Sequence, residues 1–405
     1  MKVAFYVPNG GICNVDFSCI DDGNPGVGGS EYSAILIASN LCKKGHIDAM
    51  VLCDRPSKFP DTLKWNVCHS LVGAIKYTIK HQIDYLIVDG KFLTREIVCK
   101  FSEVKFIAWA NTFISSVYYD FYARRDNIIS IINVGKEELD LTRETPIYSK
   151  SYYIYNAVPT SVRNEYPNLL PNNKRGNNVC YIGSLHPAKG FQYLAKAWPN
   201  VLKVIPDAQL YVIGSGKLYG RKAKLGTWGI AKEEFENEFM PYLVSDDKII
   251  DSVHFLGILG KEKYDILSKC KVGVPNPSGV SETFGYTAVE MEFMDCQVST
   301  IRCAGYVDTV YDKTNLYNNT DELASYIIRL LQNNEYNNTP VLDYIKQFSI
   351  ENIILEWEGF FNELENKSIR ICTIKDSLYY RSIISYHIQQ VKANIKKSIK
   401  MILRR

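Results

Sequence analysis

The 405 residues are 46% hydrophobic and 22% charged, an ordinary globular balance that excludes wholesale disorder, a collagen-like repeat and a coiled-coil rod. No run of about 18 apolar residues occurs, which excludes a multi-span membrane protein, and at ~100–200 residues per domain the length fits two domains. Ten Lys or Arg against the single acid Asp376 put +9 of the net +3 into residues 367–405 and leave −6 on 1–366, so no nucleic-acid partner is expected and an anionic partner falls to the tail.

The start, MKVAFYVPNG, has only five apolar residues before Pro8, too few for a signal peptide, and reads as a first strand. Eleven cysteines without a CxxC pair suggest free thiols in a reducing cytoplasm. The six histidines lack metal-ligand spacing, and Asp246-Asp247 lies in a polar turn, so no metal and no cofactor are expected.

Along the chain, apolar runs at 3–7, 49–53, 84–89, 104–110, 127–132 and 152–156 read as strands, with a helix at 30–45 closed by Gly45. Such β–α alternation predicts a parallel sheet covered by helices. Residues 164–178, rich in Pro, Asn and Gly, read as a linker. The pattern then restarts with strands at 178–183, 208–214, 252–257, 270–276 and 298–303 and helices at 191–205 and 286–295. Two Rossmann-like units facing a cleft are therefore expected, with ligands at the strand carboxyl ends. In the tail, Ile384, Ile388, Val391, Ile395, Ile399 and Ile402 recur at helical spacing opposite lysines, which fits an amphipathic helix on an anionic membrane or one packed on the body.

The stretch PNPSGVSETFGYTAVEMEF (275–293) holds Glu282 on a loop and Glu290 inside the helix that follows, whose first amides are suited to phosphate. Taken alone, Glu282 also fits a helix cap and Glu290 a solvated face. This stretch, with GGSEYSAILIASNLCKKGH (28–46), YNAVP (155–159), YIGSLHPAKGFQYLAKAW (181–198), LYVIGSG (210–216) and FSIENIILEWEGFF (348–361), resembles the retaining glycosyltransferases of family 4, with their glutamate–seven residues–glutamate motif and two-domain GT-B fold. The resemblance spans residues 1 to about 360. It implies an acceptor-side domain at 1–163, a linker at 164–178, a donor domain at 179–345, a crossover helix at 346–365 and a basic tail at 366–405.

The resemblance also implies roles. Gly28 and Gly29 approach the donor diphosphate, and Lys189 neutralises it as it leaves. Glu282 contacts the donor sugar, Thr283 and the amides of Phe284 and Gly285 contact sugar or phosphate, Glu290 holds the ribose, and Gly214 and Gly216 let the nucleotide approach. Two positions depart from the family. Ser184 stands where most members have an arginine, and Asn111 where many have a histidine; an asparagine can bind a hydroxyl but is no base at neutral pH. Residues 217–251 form a long connection whose Tyr219, Arg221, Lys222, Lys224 and Trp228 either touch a ligand or belong to a helical insertion. The function implied is transfer of a sugar from a nucleotide-sugar to a saccharide or lipid-linked acceptor in polysaccharide or lipopolysaccharide assembly, in the cytoplasm at the membrane's inner face. A sugar-nucleotide-binding regulator or a sugar phosphorylase remains the alternative.

Overall fold

The computed structural model describes residues 1–366 and, beyond them, Ile388, Val391, Lys392 and Ile395. The expected membrane-facing helix at 384–405 otherwise lies outside the described residues. Among the described residues, no helix is long and apolar enough to cross a membrane.

The first half builds a seven-stranded sheet from β1 (Lys2–Val7), β2 (Asp48–Cys53), β3 (Trp65–Val67), β4 (Tyr85–Asp89), β5 (Phe106–Ala110), β6 (Ile128–Asn133) and β7 (Ser151–Tyr153). Its order is β3-β2-β1-β4-β5-β6-β7, with every pair parallel. The central strands are apolar on both faces, as in FIAWA, because helices cover both sides. Helix α1 (Gly29–Lys44) follows the long glycine-rich loop after β1 and buries Ile35, Leu36 and Ile37.

The second half repeats the plan with β8 (Asn178–Ile182), β9 (Gln209–Ile213), β10 (Val253–Gly257), β11 (Val272–Gly273) and β12 (Gln297–Val298), in the order β10-β9-β8-β11-β12. Helix α2 (Phe191–Val204) packs Phe191, Leu194 and Trp198 beneath it. In both sheets the strand order reverses beside the first strand, so a crevice opens there at the carboxyl ends.

Some elements differ from the sequence reading. The strand expected at 298–303 splits: Gln297–Val298 joins β11, whereas Thr300–Ile301 pairs with Leu316–Tyr317. Ser299 sits at the break, its amide on the Gly273 carbonyl and its hydroxyl on that of Asn315. The strands expected at 270–276 and 152–156 are shorter than their apolar runs. An unforeseen helix at Leu71–Lys80 starts where Ser70 Oγ accepts the Gly73 amide, and β3 extends the sheet edge.

Between the sheets, the Pro- and Asn-rich stretch is pinned. Arg175 donates to the carbonyls of Leu170, Cys270 and Met294, and Arg163 reaches Asp295 at 2.9 Å. The helix Ile350–Glu365 is capped by Ser349 and returns to the first half, where Trp357 meets Phe5 and Trp109 edge-on. Three aromatic rings joined this way, each pair worth ~0.5–1.5 kcal/mol beyond its buried area, fasten this helix beneath the first sheet.

Candidate active site

Between the halves runs a cleft of about 790 Å³, lined by Gly28 and Gly29 from the first half and by Ser184, Lys189, Gly214, Glu282 and Glu290 from the second. Gly28 caps α1. Ser184 and Lys189 follow β8, and Gly214 follows β9. Glu282 precedes α4 (Tyr286–Phe293), which carries Glu290. Apart from Glu290, which lies inside α4, each of these residues sits at a strand's carboxyl end or a helix start, where a parallel fold leaves its backbone groups open.

Lys189 Nζ stands 3.0 Å from Glu282 Oε2, which also accepts from Asn276 Nδ2 at 2.8 Å. Burial pulls the Lys189 ammonium down, but the Glu282 carboxylate outweighs it and leaves the pKa raised. The lysine therefore stays charged and the pair is neutral. Glu290 is deeper: Lys263 Nζ lies 2.7 Å from it, with side chains only 5% and 4% exposed, and Tyr264 donates its hydroxyl at 3.0 Å. Lys263 and Tyr264 were missed from sequence, since nothing in KEKYD marks a partner 26 or 27 residues further on. The solvated alternative for Glu290 is excluded by this burial.

The remaining expected residues divide. Gly214 adopts φ +139°, and a Cβ there would stand 1.7 Å from the Gly183 carbonyl oxygen, so backbone contact already demands glycine. Gly216 does not line the cleft; a side chain would strike Ala231 and Leu225. The Ser184 side chain is buried in the cleft wall. The Phe284 ring is in the core against Tyr155 and Phe348, and neither Phe284 nor Gly285 lines the cleft. Gly285 caps α4 at φ +84°, and Thr283 Oγ1 donates across the cleft to the Asn111 carbonyl at 2.9 Å.

The 217–251 connection is a folded insertion that also reaches the cleft wall. It contains helix α3 (Glu233–Phe239) and a hairpin whose turn is Asp246-Asp247. Ahead of that helix, residues 217–231 form a strap over the cleft. Tyr219 lines the cleft, and Arg221 Nη2 reaches the Gly26 carbonyl at 2.5 Å. The strap is fixed from below by Glu236, whose carboxylate accepts the amides of Trp228, Ile230 and Ala231.

A second, much smaller pocket opens at the ends of β1, β4 and β5, lined in part by Tyr6, Glu31, Asp89, Lys91, Trp109 and Asn111. Of these, only Asn111 was singled out from sequence. An acid closing a buried strand, as Asp89 closes YLIVD, is a readable signal for such a place. No cluster of three or more His, Cys, Asp or Glu suited to a metal occurs among the described residues.

Residues 176–333 match the family model of the glycosyl transferases group 1. A curated relative, an uncharacterized glycosyltransferase of Haemophilus influenzae, is 24% identical, the match covering 82% of this chain and 96% of the relative. Among solved structures, a glycosyltransferase of Rickettsia africae superposes with a TM-score of 0.63 at 14% identity, over 90% of this chain and 98% of its own. Anabaena HepE, solved with UDP and glucose, gives 0.60 at 14% identity, over 90% and 100%. The architecture is GT-B: two Rossmann-like units about a cleft.

Proposed function

We propose that the protein is a retaining glycosyltransferase that moves a sugar from a nucleoside diphosphate to a saccharide or lipid-linked saccharide without a metal. The observation that supports this most is one cleft holding the Lys189–Glu282 pair, the Lys263–Glu290 pair and the glycine-lined loop together. The diphosphate would share Lys189 with Glu282, with the amides before α4 supplying further donors. Glu282, released in part from the lysine, would face the sugar, and Glu290 the ribose hydroxyls. The acceptor oxygen bonds to the anomeric carbon on the face the diphosphate leaves, and its proton passes to the departing phosphate oxygen. Lys189 then holds the charge that gathers there.

Because HepE was solved with UDP and glucose, UDP-sugars are the first donors to try. The test is a thermal-shift screen of UDP, GDP, ADP and their sugars on wild type and Glu290→Ala, followed by assay of nucleoside diphosphate release and of the product's anomeric configuration. One nucleotide should stabilise the wild type alone, by ~2.7 kcal/mol at a hundredfold excess over Kd. No response to any nucleotide, or an inverted product, overturns the reading. Sugar phosphate formed on adding inorganic phosphate would mark a phosphorylase, and binding without turnover a regulator. The basic tail supports a place on the inner face of the membrane, in surface polysaccharide or lipopolysaccharide assembly. Deleting 367–405 should then abolish partitioning onto anionic vesicles.

A further inference from the structure

We propose that the polar pocket at the edge of the second sheet, across α4 from the main cleft, is a separate carbohydrate site that takes an uncharged saccharide by its hydroxyls and ring faces. The inference goes beyond the transfer reaction and does not rest on it.

The place is set by α4. Glu290 and Glu292 are two residues apart, about 200° around a helix, so one side chain turns to the main cleft and the other away from it. Glu292 lines a pocket between α4, the edge strand β12 and the turn into the helix Thr339–Ile345. A depression beside the helix Leu323–Gln332 joins it, sharing Gln297, Asn315 and Tyr336. No residue lining either one lines the main cleft, so both sites can be filled at once.

The floor points to a ligand. Glu292 is 3% exposed, and its Oε1 accepts the Tyr311 amide at 2.8 Å, while Oε2 has no hydrogen-bond partner among the described residues. A buried oxygen left so is costly, and a ligand hydroxyl would satisfy it. Burial pushes this carboxyl up to about 8, against the pull of the Tyr311 amide and the Lys313 ammonium. Near neutrality it can therefore donate to a sugar oxygen as well as accept.

The walls select the kind of ligand. Gln297, Asn315, Asn333 and Asn337 bring side-chain amides, which both donate and accept, as hydroxyls do. Asn333 donates to Gln297 at 2.7 Å and Arg329 to Asn315 at 2.8 Å, so these amides are held in place. Tyr311 and Tyr336 add ring faces for the C–H side of a sugar. The Tyr311 ring is 40% exposed, with Tyr344 edge-on against it at 5.5 Å. Arg329 is engaged by Asn315 and the Tyr326 ring, whereas Asp312 and Glu335 add carboxylates, so an anionic sugar is disfavoured. These acids do not gather as a metal-binding set among the described residues.

The test is a saturation-transfer NMR titration, without nucleotide, of neutral trisaccharides of glucose, galactose, mannose and N-acetylglucosamine, with trigalacturonate and the chitosan trimer as charged counterparts. At least one neutral trisaccharide should bind wild type, and the charged ones more weakly. Tyr311→Ala and Glu292→Leu should each weaken that binding roughly tenfold. Tyr219→Ala, in the main cleft, should leave it unchanged. Because Tyr311→Ala truncates an exposed ring, its melting temperature should match wild type and its titration stands even where Glu292→Leu fails to fold. The proposal is overturned if no neutral trisaccharide binds, if a charged one binds as tightly, if Tyr311→Ala keeps full affinity, or if Tyr219→Ala loses it. Failure of every nucleotide to bind would remove the transferase reading and leave this one standing.

Discussion

The second-half wall of the cleft and the smaller first-half pocket beside it carry similar numbers of carboxylates but arrange them differently. On the second-half wall each acid has its own lysine, Glu282 with Lys189 and Glu290 with Lys263, at 3.0 and 2.7 Å. On the first-half wall Glu31 and Asp89 share Lys91, and the ion pair forms with Asp89. A wall of matched pairs can receive an anionic diphosphate by re-partnering its lysines, without first overcoming a surplus negative charge. A wall with a surplus acid suits hydroxyls.

The comparison breaks most visibly in stability. Lys263→Met would leave the Glu290 carboxylate buried with the Tyr264 hydroxyl and no cation, and removing one partner of a buried pair costs about 3–5 kcal/mol. Urea unfolding should show that loss, and Lys263→Met with Glu290→Leu together should recover most of it, because no charge is then stranded. Glu31→Gln, on the opposite wall, removes a surplus charge and should cost under about 1 kcal/mol. If Lys263→Met unfolds like wild type, the pair does not hold that wall together.

Next in size is the effect on chemistry. Lys189→Ala should lower turnover roughly 10²–10³-fold, the usual cost of losing one group that stabilises developing charge. Glu282 keeps Asn276 as a partner at 2.8 Å, so the melting temperature should move far less than in Lys263→Met. Steady-state release of nucleoside diphosphate, read beside the melting temperature, separates the two pairs into one that serves the reaction and one that serves the wall. Equal turnover in Lys189→Ala would contradict that division.

Much of this was legible in the sequence, for physical reasons that vary by element. The two parallel sheets are written locally, as apolar runs such as YLIVD and FIAWA between amphipathic helices. Glu282, Glu290, Lys189 and Gly214 stand in short segments at strand ends and do line one cleft. What stayed hidden depends on distance along the chain. Lys263 finds Glu290 across 27 residues, Arg221 finds Gly26 across 195, and Glu31 matters only because a second cavity opens beside it. Gly216 shows the opposite failure, a motif position occupied for packing under the strap.

The pH dependence of stability tests the junction where the walls meet. Asp308, on the helix Ala304–Thr309 of the second half, accepts the Glu137 backbone amide of the first half at 2.9 Å and faces the Tyr155 hydroxyl at 3.4 Å. Burial, opposed by that amide, raises its carboxyl to about 7, against ~3.9 in an unfolded chain. Between about pH 4 and 7 the unfolded chain has released this proton while the folded one keeps it. The stability linked to Asp308 is therefore complete below pH 4, falls as pH rises, and stops falling above 7. Asp308→Asn removes the titration, so wild-type stability minus variant stability should decline across that window by at most ~1.4 kcal/mol per pH unit and run flat on either side. Urea titrations of both proteins at several pH values read this difference directly. A constant difference would mean that the carboxyl is ionised throughout, and that the junction, like the second-half wall, is held by a charge with its partner.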